Sequence, residues 1–226
     1  MAGPDIDASE LSAAREGLVQ TGRRLFSEGL ALGTSGNLSV RVGDVIAITP
    51  SSIPYVDVTL DDICVMSLEG EQIHGRAKVS SEWPMHWRIY RSTDAKAVVH
   101  THSAEVVALS LVKEELPAVH YNIVSLGGAV PVVGYSRFGT NDLADRCEAE
   151  MKVHHAVILQ NHGAVIRGAT LPQAFDRALL LEWLARVYRL SLSYGEPRIL
   201  SREELAEVEA EVRRRRYGEA TTEVPK

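Results

Sequence analysis

The stretches of this sequence that read as strands are short, and they mix with helix-period stretches in no regular order. That uneven order restricts the fold more than any other feature of the chain. Three strand-like runs come first in succession, at 38–41, 45–49 and 63–67, punctuated by the turn signals Gly43-Asp44 and, after the third, Glu69-Gly70. Single apolar strands follow at 97–100, 130–133 and 156–159. Helical spacing of Leu11, Ala14, Leu18, Val19 and Leu25 predicts a helix from Asp7 or Ser9 to about Gly29. Further helices are expected at 82–91 with Ser80 or Ser81 as cap and Pro84 in the first turn, at 103–113, and at 141–151 behind Thr140 or Asn141. Two more are expected at 172–194 and at 201–217, the last with Ser201 as cap and Glu204 closing a capping box. Strict strand–helix repeats would specify a doubly wound parallel sheet. The uneven mixture specifies instead an α/β fold with a central, mostly antiparallel sheet flanked by helices.

A chain of 226 residues with 45% hydrophobic content buries a full core without disulfides or structural metal. A single domain over 1–226 is therefore expected, with a mobile C-terminal tail from about residue 213. A net charge of −6 is poorly suited to gripping a nucleic-acid backbone. The arginine run 213–216 lies in a Glu-rich helical stretch and reads as a solvated face or a subunit contact. Cys64 and Cys147 show no CxxC spacing, which points to reduced thiols. The acidic start lacks the basic and apolar regions of a signal peptide, and no apolar run approaches the roughly 18 residues of a membrane span. The expectation is a soluble, cytoplasmic protein with neither nucleic acid nor membrane as partner.

Chemistry concentrates where strands end. His100 and His102 close the apolar run Val98-Val99, and residues at i and i+2 of an extended segment face the same way, so both rings can converge on one ion. His162 follows the strand at 156–159 and precedes Gly163, where a glycine lets backbone approach closely. A lone His-x-His is a modest signal for a metal, and His162 taken singly is as easily a capping or loop histidine; three at strand ends point to a metal. Glu82, opening a helix, is the natural fourth ligand, although a carboxylate there also serves simply as a helix-start charge. Three nitrogens and one oxygen suit tetrahedral Zn²⁺. His86 is spaced i, i+4 from Glu82 and could share its face, while His120, His154 and His155 are further candidates. There is no His-Glu-x-x-His helix, which argues against peptidase chemistry. Three small, hydroxyl- and glycine-rich segments, 33–37, 49–52 and 80–81, offer backbone N–H groups that together could cradle a phosphate, although each alone reads as an ordinary turn or cap. Lys78, Lys96, Lys113 and Lys152 all read as solvent-facing, which leaves no evident Schiff-base lysine.

The ordered motifs GTSGNLSVR (33–41), ITPSSIPY (48–55), VSSEWPMH (79–86), AVVHTHS (97–103), PAVHYNIVSLGG (117–128), FGT (138–140) and LQNHGAV (159–165) resemble the class II aldolase/adducin family, most closely its L-fuculose-1-phosphate aldolase branch. The resemblance runs from about Arg23 to Gly218. It implies a three-layer α/β/α sandwich assembled as a four-fold homotetramer with sites at subunit interfaces. It implies one Zn²⁺ per subunit on Glu82, His100, His102 and His162, with another divalent metal possible. It also implies a phosphate pocket of Gly36, Asn37, Ser51, Ser52, Ser80 and Ser81. Glu82 would be ligand in the resting enzyme and proton shuttle once substrate displaces it. Tyr121 would reach into a neighbour's site, and Tyr217 resembles a tail tyrosine that closes over substrate. The implied reaction is cleavage of a ketose 1-phosphate, L-fuculose 1-phosphate-like, to dihydroxyacetone phosphate and an aldehyde through a metal-stabilised enediolate. Decarboxylation of a 3-oxo-tetronate 4-phosphate-type sugar acid stays open, as do pentulose-phosphate 4-epimerisation and a non-catalytic adducin-like binding role. Two departures bear on this. Pro50-Ser51-Ser52 stands where the branch usually has Pro-Thr-Gly, and His-Thr-His-Ser also occurs in relatives that act on other phosphorylated sugars and sugar acids. Glu82 stands where the epimerases carry Asp, which argues against epimerisation.

Overall fold

The structure, a computed structural model, describes residues 7–215. Its strands are β1 (Asn37–Val42), β2 (Val45–Ile48), β3 (Cys64–Ser67), β4 (Gln72–His74), β5 (Ala97–Thr101), β6 (Glu115–Leu116), β7 (Val130–Val133), β8 (Ala156–Leu159) and β9 (Gly163–Gly168). Its helices are α1 (Ala8–Ser27), α2 (Trp83–Ser92), α3 (Ala104–Ser110), α4 (Asn141–Met151), α5 (Leu171–Ser191) and α6 (Arg202–Arg215). The strands form one sheet in the order β4-β3-β2-β1-β5-β9-β8-β7-β6. Every pairing is antiparallel except β7 with β8.

Strand alternation builds the three layers. Ala97, Val99, Ala156, Ile158, Ala164 and Ile166 face a core shared with α1, α3 and α5. Their neighbours Val98, Val157, Leu159 and Val165 face a second core formed with Met85 and Ile89 of α2 and Leu143 and Cys147 of α4. The α/β/α sandwich around a mostly antiparallel sheet is as expected. Both cysteines are buried and free. No helix among the described residues is long and apolar enough to cross a membrane.

The elements differ from the sequence reading in instructive places. Strand β9 carries no strand signal of its own, since glycines stand at both ends of Gly163–Gly168 and Arg167 lies inside it. Its place is set by tertiary pairing between β5 and β8. The edge strands β4 and β6 are only 3 and 2 residues long and carry too little pattern to find. Helix α3 ends at Ser110 rather than 113, and α5 at Ser191 rather than 194. Ser80 and Ser81 do not cap α2: the N-cap residue is Glu82 itself, with no side-chain cap bond, because its carboxylate is drawn elsewhere. The capping box of α6 is present, Ser201 N donating to Glu204 Oε2 at 2.7 Å and Glu204 N to Ser201 Oγ at 3.2 Å. The described arginines of the 213–216 run lie in its last turn, exposed and paired with Glu209 and Glu211, as a solvated face. Tyr217 lies outside the described residues.

Candidate metal centre

Antiparallel pairing gathers the site. Asn37, which opens β1, pairs with His100 near the end of β5, and Thr101 pairs with Ala164 at the start of β9. His102 therefore leaves β5 beside the point where His162 enters β9. Gly163 makes that approach possible, since a Cβ built there would stand 2.0 Å from the Thr101 carbonyl oxygen. Beyond His102, the N–H groups of Glu105 and Val106, which have no partner within the first turn of α3, donate to the Glu182 carboxylate of α5 at 3.0 and 3.1 Å, which anchors the segment.

Glu82, His100, His102 and His162 each offer one donor atom, and all four atoms lie within 4.8 Å of one another. His100 Nε2 is 2.9 Å from His102 Nε2 and 3.0 Å from Glu82 Oε2, and His162 Nε2 is 3.3 Å from Glu82 Oε1. A tetrahedral ion with ligand bonds of about 2.0–2.1 Å separates neighbouring donors by roughly 3.3 Å. The three rings meet edge-on, with centroids 4.8–4.9 Å apart. Nδ1 of His100 donates to the Ala164 carbonyl at 2.9 Å, which fixes the ring so that Nε2 is the nitrogen turned toward the cluster. Glu82 Oε1 is buried with no hydrogen-bond partner. An orphaned carboxylate oxygen facing imidazole nitrogens is the donor set of a divalent cation, so the residues present fit the metal.

The electrostatics agree. Burial opposes charge on Glu82, yet His100, His162 and the Asn37 amide outweigh it and hold the carboxyl well below the usual carboxylate range. Burial likewise opposes charge on His100, but Glu82 and the Ala164 carbonyl raise its pKa. Burial, then the charge on His100, pushes His102 down to about 3 and His162 to about 4. Two imidazoles are thus held in the neutral form that ligates metals.

The remaining histidines stand apart. His86 is fully buried beneath the cluster and bonds to Ser39 and Asn37, so it is not a ligand despite its spacing from Glu82. His155 bonds to the Ser125 carbonyl, and His120 stacks on Tyr121. Tyr121 is 53% exposed.

A cavity of about 290 Å³ opens beside the donors, lined by Thr34–Asn37, Pro50–Ser52, Ser80–Glu82, His102, Phe138 and His162. It brings the three hydroxyl- and glycine-rich segments together, and none of its lining residues is Lys or Arg. Asn37 is the exception in orientation, its amide being spent on Glu82 and His86. Phe138, 62% exposed at the rim, had no signal of its own beyond its motif. Ser52 adopts φ +63°, the left-handed conformation that a glycine would take without cost. Ser52→Gly is therefore expected to raise stability by roughly 0.5 kcal/mol, the strain relieved less the added freedom of the unfolded chain. Thermal unfolding checks this, and a lower Tm would show that the Ser52 hydroxyl outweighs the strain.

Comparison with known proteins decides the family. Residues 16–189 match the model of the class II aldolase and adducin N-terminal domain. The chain belongs to that family. The 5-deoxy-D-ribulose 1-phosphate aldolase of Bacillus thuringiensis serovar kurstaki is 38% identical over 198 residues, 86% of this chain and 93% of the relative. The L-fuculose phosphate aldolase of Escherichia coli K12 is 37% identical, over 84% of this chain and 90% of the relative. A solved L-fuculose 1-phosphate aldolase superposes with a TM-score of 0.87 at 34% identity, covering 92% and 98% of the two chains. This class II aldolase is thus a lyase, with its Glu/His cluster where a divalent metal fits.

Proposed function

We propose that this class II aldolase is zinc-dependent and cleaves a ketose 1-phosphate of the L-fuculose 1-phosphate or 5-deoxypentulose 1-phosphate kind. The products are dihydroxyacetone phosphate and an aldehyde. The observation that carries this reading is the four-donor cluster with its orphaned Glu82 oxygen, set in the wall of a cation-free, N–H- and hydroxyl-lined cavity. The named activities of the relatives supply the substrate class.

When bound, zinc supplies Lewis acidity to the negative charge that develops on the ketose oxygens. Gly36, Ser51, Ser52, Ser80 and Ser81 hold the phosphate with neutral donors and so fix the scissile bond beside the cluster. Asn37, counted among them from sequence, is better employed holding Glu82. Glu82 carries a proton at the carbon that the cleavage leaves electron-rich. Tyr121 acts on the aldehyde oxygen of a neighbour's substrate within a four-fold homotetramer, for which its exposure leaves it free. Tyr217 takes a catalytic part as well. The cavity's lack of Lys or Arg favours a ketose over a sugar acid, whose carboxylate would want a cationic partner.

The test is a substrate panel with metal control. The zinc-loaded protein should release dihydroxyacetone phosphate from L-fuculose 1-phosphate or 5-deoxyribulose 1-phosphate, and no CO₂ from a 3-oxo-tetronate 4-phosphate. Chelation should abolish turnover while far-UV circular dichroism is retained, and zinc should restore it. CO₂ without dihydroxyacetone phosphate, or full turnover after chelation, would reject the reading.

A further inference from the structure

Behind Glu82 runs a buried line of polar groups that the reaction as described leaves unused. Asn37 Nδ2 lies 2.9 Å from Glu82 Oε2, and Asn37 Oδ1 lies 2.5 Å from His86 Nε2. His86 Nδ1 is 2.7 Å from Ser39 Oγ, which is 2.8 Å from the Tyr90 hydroxyl. All are enclosed: His86 and Ser39 are 0% exposed, Tyr90 1% and Asn37 4%. The local geometry explains the alignment. Asn37 and Ser39 are i and i+2 on one face of β1, while His86 and Tyr90 are one turn apart on α2, so the two elements interleave their polar side chains.

Hydrogen positions follow from one fixed end. An ionised carboxylate only accepts, so Asn37 must present its N–H to Glu82 and its oxygen to His86. His86 Nε2 must then carry the proton, which leaves Nδ1 to accept from the Ser39 hydroxyl. Ser39, having given its only hydrogen, accepts from Tyr90. Every donor in the line points toward Glu82, and any single reversal sets two acceptors or two donors against each other. Burial keeps the imidazole neutral, its pKa pushed down to about 3.

We propose that His86 is a positioning residue of the metal centre: its Nε2–H locks the Asn37 amide, which holds Glu82 Oε2 and so aims the unpartnered Oε1 at the ion. This rests on reading the cluster as a zinc site. It gives two residues that line no part of the cavity, His86 and Ser39, a measurable share in metal affinity.

Two substitutions of opposite reach test it. In His86→Gln the side-chain amide nitrogen falls near the former Nε2 and can still donate to Asn37. In His86→Asn the amide falls near the former Nδ1, and Asn37 Oδ1 loses its donor. By chelator competition, His86→Asn should weaken zinc binding roughly 10- to 100-fold, as removal of a group orienting a ligand does, and His86→Gln should recover most of it. At saturating zinc, His86→Asn should lower kcat with little change in KM for the ketose 1-phosphate. Equal loss of Tm in both variants with wild-type zinc affinity would reduce His86 to packing and overturn the proposal. If His86→Asn does not fold, Ser39→Ala, which removes the hydroxyl that selects the tautomer, should weaken zinc binding several-fold. An unchanged affinity there overturns it equally. A wild-type protein that neither retains zinc nor cleaves the substrate would sink the zinc-aldolase reading itself, whereas sound wild-type behaviour with unaltered variants sinks only the role of His86.

Discussion

Replacing His102 with Ala is expected to remove metal retention and turnover together. His102 Nε2 stands 2.9 Å from His100 Nε2, and its ring meets both other imidazoles edge-on, so it fills one corner of the donor set that no neighbouring group can take over. Two imidazoles and a carboxylate would remain, with water in the fourth position. Zinc affinity should fall by roughly a thousandfold or more, on the order of 4 kcal/mol. Turnover should fall at least as far, because an ion held loosely no longer sits where charge develops. The fold should survive, since His102 belongs to neither hydrophobic core. Zinc content after dialysis, dihydroxyacetone phosphate release and Tm are measured on the same preparation. Wild-type turnover in zinc-free His102→Ala protein would remove the metal from the mechanism.

Glu82→Gln separates holding the ion from moving the proton. Glutamine keeps the length of the side chain and one oxygen, and that oxygen can still accept from Asn37 at the site of the present 2.9 Å bond. What disappears is the negative charge facing His100 and His162 and the capacity to carry a proton. Zinc should bind more weakly but still load at saturation. The loaded variant should show kcat reduced by roughly 10²–10⁴, the usual range for a lost acid–base group, with KM little altered because the phosphate-lining serines are untouched. Solvent deuterium exchange into dihydroxyacetone phosphate, with no aldehyde present, reads the proton step directly. Wild-type exchange by the zinc-loaded variant would transfer that duty to another group.

The ligands were legible because each sits at a local boundary: His100 and His102 where an apolar strand gives out, His162 between a strand and a glycine, Glu82 where a helix opens. Their meeting was not legible from spacing. It depends on β9 running between β5 and β8, and Gly163–Gly168 carries no strand signature of its own because its place is fixed by its neighbours. The family resemblance covered that gap. The same limit explains His86. Its i, i+4 relation to Glu82 suggested a shared ligand face, but the sequence holds no sign that Asn37 of β1 would stand between the histidine and the cluster, with Ser39 bonded to the far side of the ring. Ser52 shows the converse case. Set against the glycine usual in the branch, its residue type marks a departure, and its backbone stands at φ +63°, a conformation that glycine adopts without strain and serine does not.

Anyone recasting this scaffold for other aldehydes inherits one rigid seam. Because any side chain at position 163 would collide with the Thr101 carbonyl at 2.0 Å, a randomised library there should return glycine alone. Diversity is better spent on the cavity mouth at Phe138, where bulk can change without prising the two histidine arms apart.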